Sequence, residues 1–315
     1  MFQKATRQQS KLRLCVSGPS GSGKTYGSLK ISESIKGDGR IAFIDTENGS
    51  ASLYAKEFDF DVLNLEPPFT PQRFVDAIKG AEDAGYKVIV IDSATHEWEG
   101  SGGCLEMNEM TARNKFKGNT WSAWSDTNKE HQKFINAIVL SKAHIICTAR
   151  SKTETAQEGK RIMRLGTKLV QRDNFEYEFT LALDIMHDGH YANAIKDRTG
   201  LFMGKDAHVI DDSTGSKILD WLNDGQSVDE LMKTHLEDIE SASSEAALLD
   251  IARAAYQAMK PHGDDYLNKI IVSKDKRIVF FNQSEEENNI AVNENYSEIQ
   301  DLPRIDTTTF HEINL

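Results

Sequence analysis

The first two thirds of the chain carry short, nearly continuous apolar runs separated by helical spacing. Residues 12–17 alternate and are rich in strand formers. Arg40-Ile41-Ala42-Phe43-Ile44-Asp45, Lys87-Val88-Ile89-Val90-Ile91-Asp92 and Ala143-His144-Ile145-Ile146-Cys147-Thr148 are almost wholly apolar until their polar ends. Such runs predict strands buried on both faces of a parallel sheet. Between the first two, Leu29, Ile31 and Ile35 keep helical spacing up to the Gly37-Asp38-Gly39 turn. This part closes through Ala207-His208-Val209-Ile210 and a predicted helix over 217–222. From Ser227 the period is helical throughout. Val228, Leu231, Met232 and Leu236 mark one helix, and Ser243-Ser244-Glu245 starts a second, with Leu248, Ile251, Ala255 and Met259 on its core side before Pro261. A third spans 265–281. The pattern therefore predicts an α/β core over 12–222 with a mainly parallel sheet flanked by helices, a small helical module over 227–281, and a short N-terminal segment over 1–11. The tail over 282–315 has eight acidic residues, one basic residue and few core formers, which predicts disorder.

The first strand-like run opens into Gly18-Pro19-Ser20-Gly21-Ser22-Gly23-Lys24-Thr25, which matches G-x-x-x-x-G-K-[ST] without a gap. Glycines let backbone N–H groups turn inward toward phosphate oxygens, and the following helix adds its positive N-terminal end. This is the cradle for the β and γ phosphates of ATP, with Lys24 reaching both phosphates and Thr25 holding Mg²⁺. Sheets of this kind place ligands at their strand ends. Asp92, at the end of one strand, is thus the expected Mg²⁺ partner of Thr25. Glu47, just past the end of another, is the expected group to position and deprotonate the attacking water. Glu97 is a rival base, and His96 either senses the γ phosphate or faces solvent.

Composition is that of an ordinary globular protein: 315 residues, 39% hydrophobic and 27% charged. No apolar run is long enough to span a bilayer, and nothing near the N-terminus reads as a signal peptide, so a cytoplasmic location is expected. Cys15, Cys104 and Cys147 are odd in number and widely spaced, which reads as reduced core thiols rather than a disulfide or metal site. The net charge of −12 is unevenly distributed. Residues 211–315 hold 22 acidic and 9 basic side chains, so the first 210 residues carry a net +1. Within them, residues 106–175 hold 13 Lys and Arg against 7 Asp and Glu. Arg113, Lys115 and Lys117 lie in one stretch with Phe116, Trp121 and Trp124. Lys152, Lys160, Arg161, Arg164 and Lys168 lie in another. Cations for backbone phosphates beside aromatic stacking faces make the combination that single-strand binding uses without reading sequence.

With the phosphate loop in place, Ile44-Asp45-Thr46-Glu47 and Ile89-Val90-Ile91-Asp92-Ser93 resemble the RecA-type recombinase core. Together with Ile44-Asp45-Thr46-Glu47-Asn48-Gly49-Ser50-Ala51-Ser52-Leu53-Tyr54-Ala55 and Lys196-Asp197-Arg198-Thr199-Gly200-Leu201-Phe202, the loop is similar to phage-encoded RecA-like single-strand annealing ATPases, over roughly residues 2–222. The resemblance implies a RecA-like fold with Glu47 as catalytic base. It also implies that Lys196 and Arg198 reach the nucleotide of a neighbouring subunit, in a ring or a filament. Cations two apart on a strand share a face, which suits that role. Phe2-Gln3-Lys4-Ala5 fits the F-x-x-A hook by which related recombinases dock, with Phe2 and Ala5 as its anchors. The stretches 98–124 and 150–172 correspond to the loops that hold single-stranded DNA in that family. The implied function is annealing or homologous recombination of phage DNA. The competing readings are a RadA-like motor or helicase loader, and an ATP-switched scaffold without catalysis. Partners such as recombination or single-strand-binding proteins would dock on the C-terminal third.

Overall fold

The computed structural model describes residues 9–158, 161–225 and 227–300. In chain order, residues 9–225 form β1 (Arg13–Gly18), α1 (Lys24–Ile35), β2 (Ile41–Asp45), β3 (Asp61–Asn64), α2 (Pro71–Asp83), β4 (Val88–Asp92), α3 (Thr95–Glu99), α4 (Cys104–Lys115), α5 (Thr120–Val139), β5 (His144–Glu158), β6 (Arg161–Leu169), β7 (Leu181–Ile185), β8 (Tyr191–Asp197), β9 (His208–Val209) and α6 (Asp212–Asn223). The apolar runs become β1, β2 and β4, buried along their whole length, as strands covered on both faces must be. The sheet order is β3-β2-β4-β5-β1-β7-β8-β9, with β6 hydrogen-bonded to β5. Strands β3, β2, β4, β5, β1 and β7 run parallel, while β8 and β9 are antiparallel additions at one edge. The strand carrying Asp92 is thus separated from the phosphate-loop strand by β5.

Alternation along each strand divides the core into two layers. Leu14, Val16, Val88 and Val90 face α1 and α6, packing with Leu29, Ile31, Ile218 and Leu222. Cys15, Ile89, Ile91 and Cys147 face α2 and α5, packing with Phe74, Ile78, Phe134 and Ile138. The spacing of Phe74, Ile78 and Ala81 supplies the apolar stripe that seats α2. This mostly parallel, helix-flanked sheet is the α/β fold class expected from the sequence.

Two stretches expected as loops are ordered elements. Residues 98–124 hold the end of α3, all of α4 and the start of α5; Asn119 caps α5 by accepting from the Ser122 N–H at 3.1 Å. Residues 150–172 form an antiparallel hairpin, β5 continuing from the core to pair with β6, with a register shift at Glu154/Thr155.

Residues 227–300 fold as a helical unit of α7 (Val228–Glu240), α8 (Glu245–Met259) and α9 (Asp264–Gln300). Ser227 and Glu230 form a reciprocal capping box at the start of α7, and Ser244 caps α8. Met232, Ile239, Leu248, Ala255, Met259, Leu267 and Ile270 make its core. Helix α9 runs to Gln300, past residue 282, where the acidic tail was expected to begin. No glycine or proline falls between 282 and 300, so nothing in the backbone stops α9 there.

Candidate functional site

The phosphate loop links β1 to α1. Gly23, the residue before α1, has φ +95°, which a side chain would oppose, and a Cβ on Gly18 would stand 2.6 Å from the Ile185 carbonyl oxygen. Glycine is therefore required at both positions by geometry. Lys24 Nζ donates to the Pro19 carbonyl at 2.8 Å, folded back over the loop. Burial lowers the pKa of this ammonium, and the nearby Asp92 and Glu47 carboxylates oppose that effect.

Asp92 sits at the end of β4, 2% exposed. Its Oδ2 accepts from Thr25 Oγ1 at 2.6 Å and its Oδ1 from Thr148 Oγ1. Burial raises its pKa, against the pull of these two hydroxyls. The structure thus brings Thr25 of α1 and Asp92 of β4 together across β5, which contributes Thr148.

Glu47 follows β2 in a turn held by the buried Asp45, whose carboxylate accepts from Glu47 N at 2.6 Å and Ala51 N at 2.9 Å. The Glu47 carboxylate meets Arg150, which donates from Nη2 to both carboxylate oxygens at 2.8 Å and from Nε at 3.1 Å. Burial works to raise the Glu47 pKa, but the hydrogen bonds and charge of Arg150 outweigh it and hold the carboxyl below its usual range. Arg150 stands opposite Gly18 in the β1–β5 register, beside the phosphate loop. The sequence reading missed it as a site residue; the only available signal was a cation at the end of the apolar run 143–149.

His96 bonds through Nδ1 to Thr46 Oγ1 at 2.7 Å and stacks on Phe69 at 5.0 Å, and burial lowers its pKa. It is fixed in the floor between β2 and β4 rather than turned to solvent. Glu97, the rival base, is fully buried among α3, α4 and α5 against His131, Cys104 and Gln171. It is engaged away from the phosphate loop.

Beside the loop lies a cavity of about 460 Å³, lined among others by Gly23, Thr25, Tyr26, Tyr54, His190 and Ile210. Its size suits a nucleotide-sized ligand. His190 Nδ1 lies 3.0 Å from the Ser22 carbonyl oxygen, tying the turn after β7 to the loop.

Lys196 and Arg198 are not at this site. β8 runs antiparallel to β7, so Ala182 pairs with Lys196 and Arg198 N bonds to the Thr180 carbonyl, at the end of β7 remote from Ile185 and the phosphate loop. Roughly three and five strand residues at about 3.3 Å each place Lys196 roughly 10 Å and Arg198 roughly 16 Å from the Ile185 end. Lys196 Nζ bonds to the Glu176 carbonyl at 3.2 Å and to that of Tyr177, and burial lowers its pKa. Asp197 accepts from the N–H groups of Thr199, Gly200, Phe202 and Met203, which shapes the Lys-Asp-Arg-Thr-Gly turn.

Of the expected nucleic-acid contacts, Arg113 and Lys115 lie on α4, where they pair with Glu109 and Asp126, and Lys117 follows in the turn to α5. Lys152 and Lys168 face each other across the hairpin, and Lys168 also pairs with Asp173. Arg161 and Arg164 are on β6. Lys160, Phe2 and Ala5 lie outside the described residues. Trp98 and Trp124 stack at 5.5 Å, and Trp121 is 86% exposed.

A family model described as an AAA domain matches residues 10–211, from the first strand to the cap of α6. The chain belongs to the AAA domain family. This AAA domain contains both the phosphate loop and the Asp92 strand, so the site is that of a P-loop nucleotide-binding domain. No curated protein matches the chain. Among solved structures, the crystal structure of the RadB recombinase is similar at 14% identity, over 60% of this chain and 83% of that one, with a TM-score of 0.34. That likeness is too distant to bear on the site. No helix among the described residues is long and apolar enough to cross a membrane.

Proposed function

We propose that this AAA-domain chain hydrolyses ATP as a RecA-like, cytoplasmic oligomer acting on single-stranded DNA, in annealing or homologous recombination of phage DNA. The observation that carries the hydrolytic part is the convergence of Thr25 and Asp92 at 2.6 Å beside the phosphate loop, with Glu47 fixed at the neighbouring strand end. A hydroxyl and a buried carboxylate form a hard oxygen pair that fits Mg²⁺, so Thr25 and Asp92 would hold it. When bound, the ion neutralises charge on the β and γ phosphates.

The chain's own groups do the rest. Backbone N–H groups of Gly18 and of Ser20 to Lys24 bind phosphate oxygens. Lys24 exchanges the Pro19 carbonyl for phosphate. Once Arg150 leaves it, Glu47 orients water and accepts its proton, and Arg150 turns its charge to the γ phosphate. The separation of Lys196 and Arg198 from their own loop, roughly 10 to 16 Å of strand, supports action on a neighbour's nucleotide, with the Phe2 and Ala5 hook as the joining contact. The basic residues of α4 and of the hairpin, together with the exposed Trp121, support single-strand binding.

Phosphate release with and without single-stranded DNA decides between the parts, for wild type, Lys24→Ala and Arg198→Ala. DNA should accelerate release, Lys24→Ala should abolish it, and Arg198→Ala should cost about 10³-fold or more, as loss of an arginine finger does. Unchanged rates with DNA and a fully active Arg198→Ala would leave an ATPase that needs neither partner nor neighbour.

A further inference from the structure

We propose that Glu97, Cys104 and His131 form a zinc site within the helical layer that follows β4. Their donor atoms converge from three elements: Glu97 from α3, Cys104 from the first position of α4, and His131 from the middle of α5. Cys104 Sγ lies 3.1 Å from Glu97 Oε1 and 4.0 Å from His131 Nδ1, and His131 Nδ1 lies 3.0 Å from Glu97 Oε1. The side chains are 0%, 0% and 3% exposed.

A tetrahedral zinc, at about 2.3 Å from sulfur and about 2.1 Å from nitrogen and oxygen, holds sulfur about 3.5 Å from its co-ligands and nitrogen about 3.4 Å from oxygen. The two sulfur spacings bracket their value and the nitrogen–oxygen spacing falls about 0.4 Å short of its own, so side-chain shifts of about half an ångström seat the ion. The donor set is mixed sulfur, nitrogen and oxygen, which selects a borderline-soft divalent ion over Mg²⁺ or Ca²⁺.

Charge points the same way. Glu97 is fully buried, and its partners Cys104, His131 and Gln171 carry no fixed positive charge. A buried carboxylate calls for a compensating charge; Zn²⁺ with one carboxylate, one thiolate and a neutral imidazole sums to zero. Coordination releases the thiol proton to solvent. Gln171 Nε2 holds Glu97 Oε2 at 3.1 Å, the outer contact that orients a metal-binding carboxylate. A cavity of about 700 Å³, lined by Trp98, Leu105, Gln171 and Arg172 among others, opens beside the cluster and offers entry. With three protein ligands, the fourth corner falls to water. The ion would pin α3, α4 and α5 together beneath the Trp98–Trp124 pair, whose Trp98 ring also packs edge-on against His131 at 5.5 Å.

The test is metal content and cobalt substitution in the full-length protein. Wild type purified without chelator should carry one zinc per chain by inductively coupled plasma mass spectrometry. Exchange for Co²⁺ should give a thiolate-to-cobalt charge-transfer band and the ligand-field bands of a four-coordinate ion. Cys104→Ser should lose both signals, and Gln171→Ala should keep them with about 10–100-fold weaker affinity. Cys147→Ser, at a buried thiol outside the cluster, and Asp92→Asn, at the phosphate site, should leave them unchanged. Wild type that is metal-free and gives no cobalt–sulfur band overturns the proposal, whether or not Cys104→Ser folds; so does a Cys104→Ser protein with the wild-type spectrum.

Discussion

Asp92→Asn separates what the site costs the fold from what it gives the reaction. The side chain is 2% exposed and accepts from two hydroxyls. Desolvating its charge costs several kcal/mol, and two hydrogen bonds to a charged group return about 1.5–3 kcal/mol each. Asparagine keeps the shape and one acceptor, removes the charge, and lets a hydroxyl reverse its role. The variant without nucleotide should therefore be between equally stable and about 2 kcal/mol more stable than wild type, an upward shift of up to roughly 4–8 °C for a unit this size. Burial raises the Asp92 pKa in the fold. The folded state thus favours the protonated acid: the stability this gives is fully present below about pH 4, the ordinary carboxylate value, and is lost as pH rises through the folded pKa. At low pH the wild-type carboxyl is already neutral, so the gain from Asp92→Asn should be largest at neutral pH and shrink as pH falls. With Mg²⁺ and ATP the order should invert. Ligand at 100 times its dissociation constant stabilises wild type by about 2.7 kcal/mol, and each tenfold loss of affinity in the variant removes about 1.4 kcal/mol of that. Thermal unfolding at two pH values, with and without nucleotide, reads all of this. A nucleotide-free variant destabilised by more than about 2 kcal/mol would make Asp92 a structural anchor and refute the reasoning.

Glu47→Gln should lower phosphate release by about 10²-fold or more while equilibrium ATP binding stays near wild type; equal rates would move the base elsewhere. Arg150→Ala removes the partner that holds the Glu47 carboxyl down, so the Glu47 pKa should rise toward its usual range, readable by carboxylate NMR across an acid titration, and an unmoved titration would contradict the ion pair described here. Phe134→Ala, in the layer facing α2 and α5, should cost about 3–5 kcal/mol in chemical denaturation. Ser227→Ala should cost the helical unit about 1 kcal/mol through loss of the capping box, and no change would mean that α7 starts elsewhere.

The readable parts of this chain are those whose physics is local. The phosphate loop needs glycines at set positions within a single turn, and β2 and β4 are continuous apolar runs. What stayed hidden depends on distant partners. Arg150 matters because of Glu47, 103 positions away. Helix α4 reads as loop in the sequence because its buried face is Cys104, Asn108 and Ala112, helical spacing written in small and polar residues that carry little periodic signal. The hairpin was missed because residues 151–168 lack apolar alternation and read as a basic loop. Cys104 looked inert because Glu97 and His131 reach it only after three helices pack. Placing Lys196 and Arg198 far from their own nucleotide site required the antiparallel register of β8, which no spacing rule supplies.

Strand β5 crosses three environments without interruption. His144 begins it at the base of the sheet, Arg150 passes the nucleotide site, and Glu158 ends it in the hairpin. From Arg150 to Glu158 is about 26 Å of extended chain at about 3.3 Å per residue, with a register shift at Glu154/Thr155. The guanidinium that locks Glu47 is therefore rooted on the same strand as the hairpin. The hairpin and the residue that holds Glu47 thus share one strand, with no loop between them.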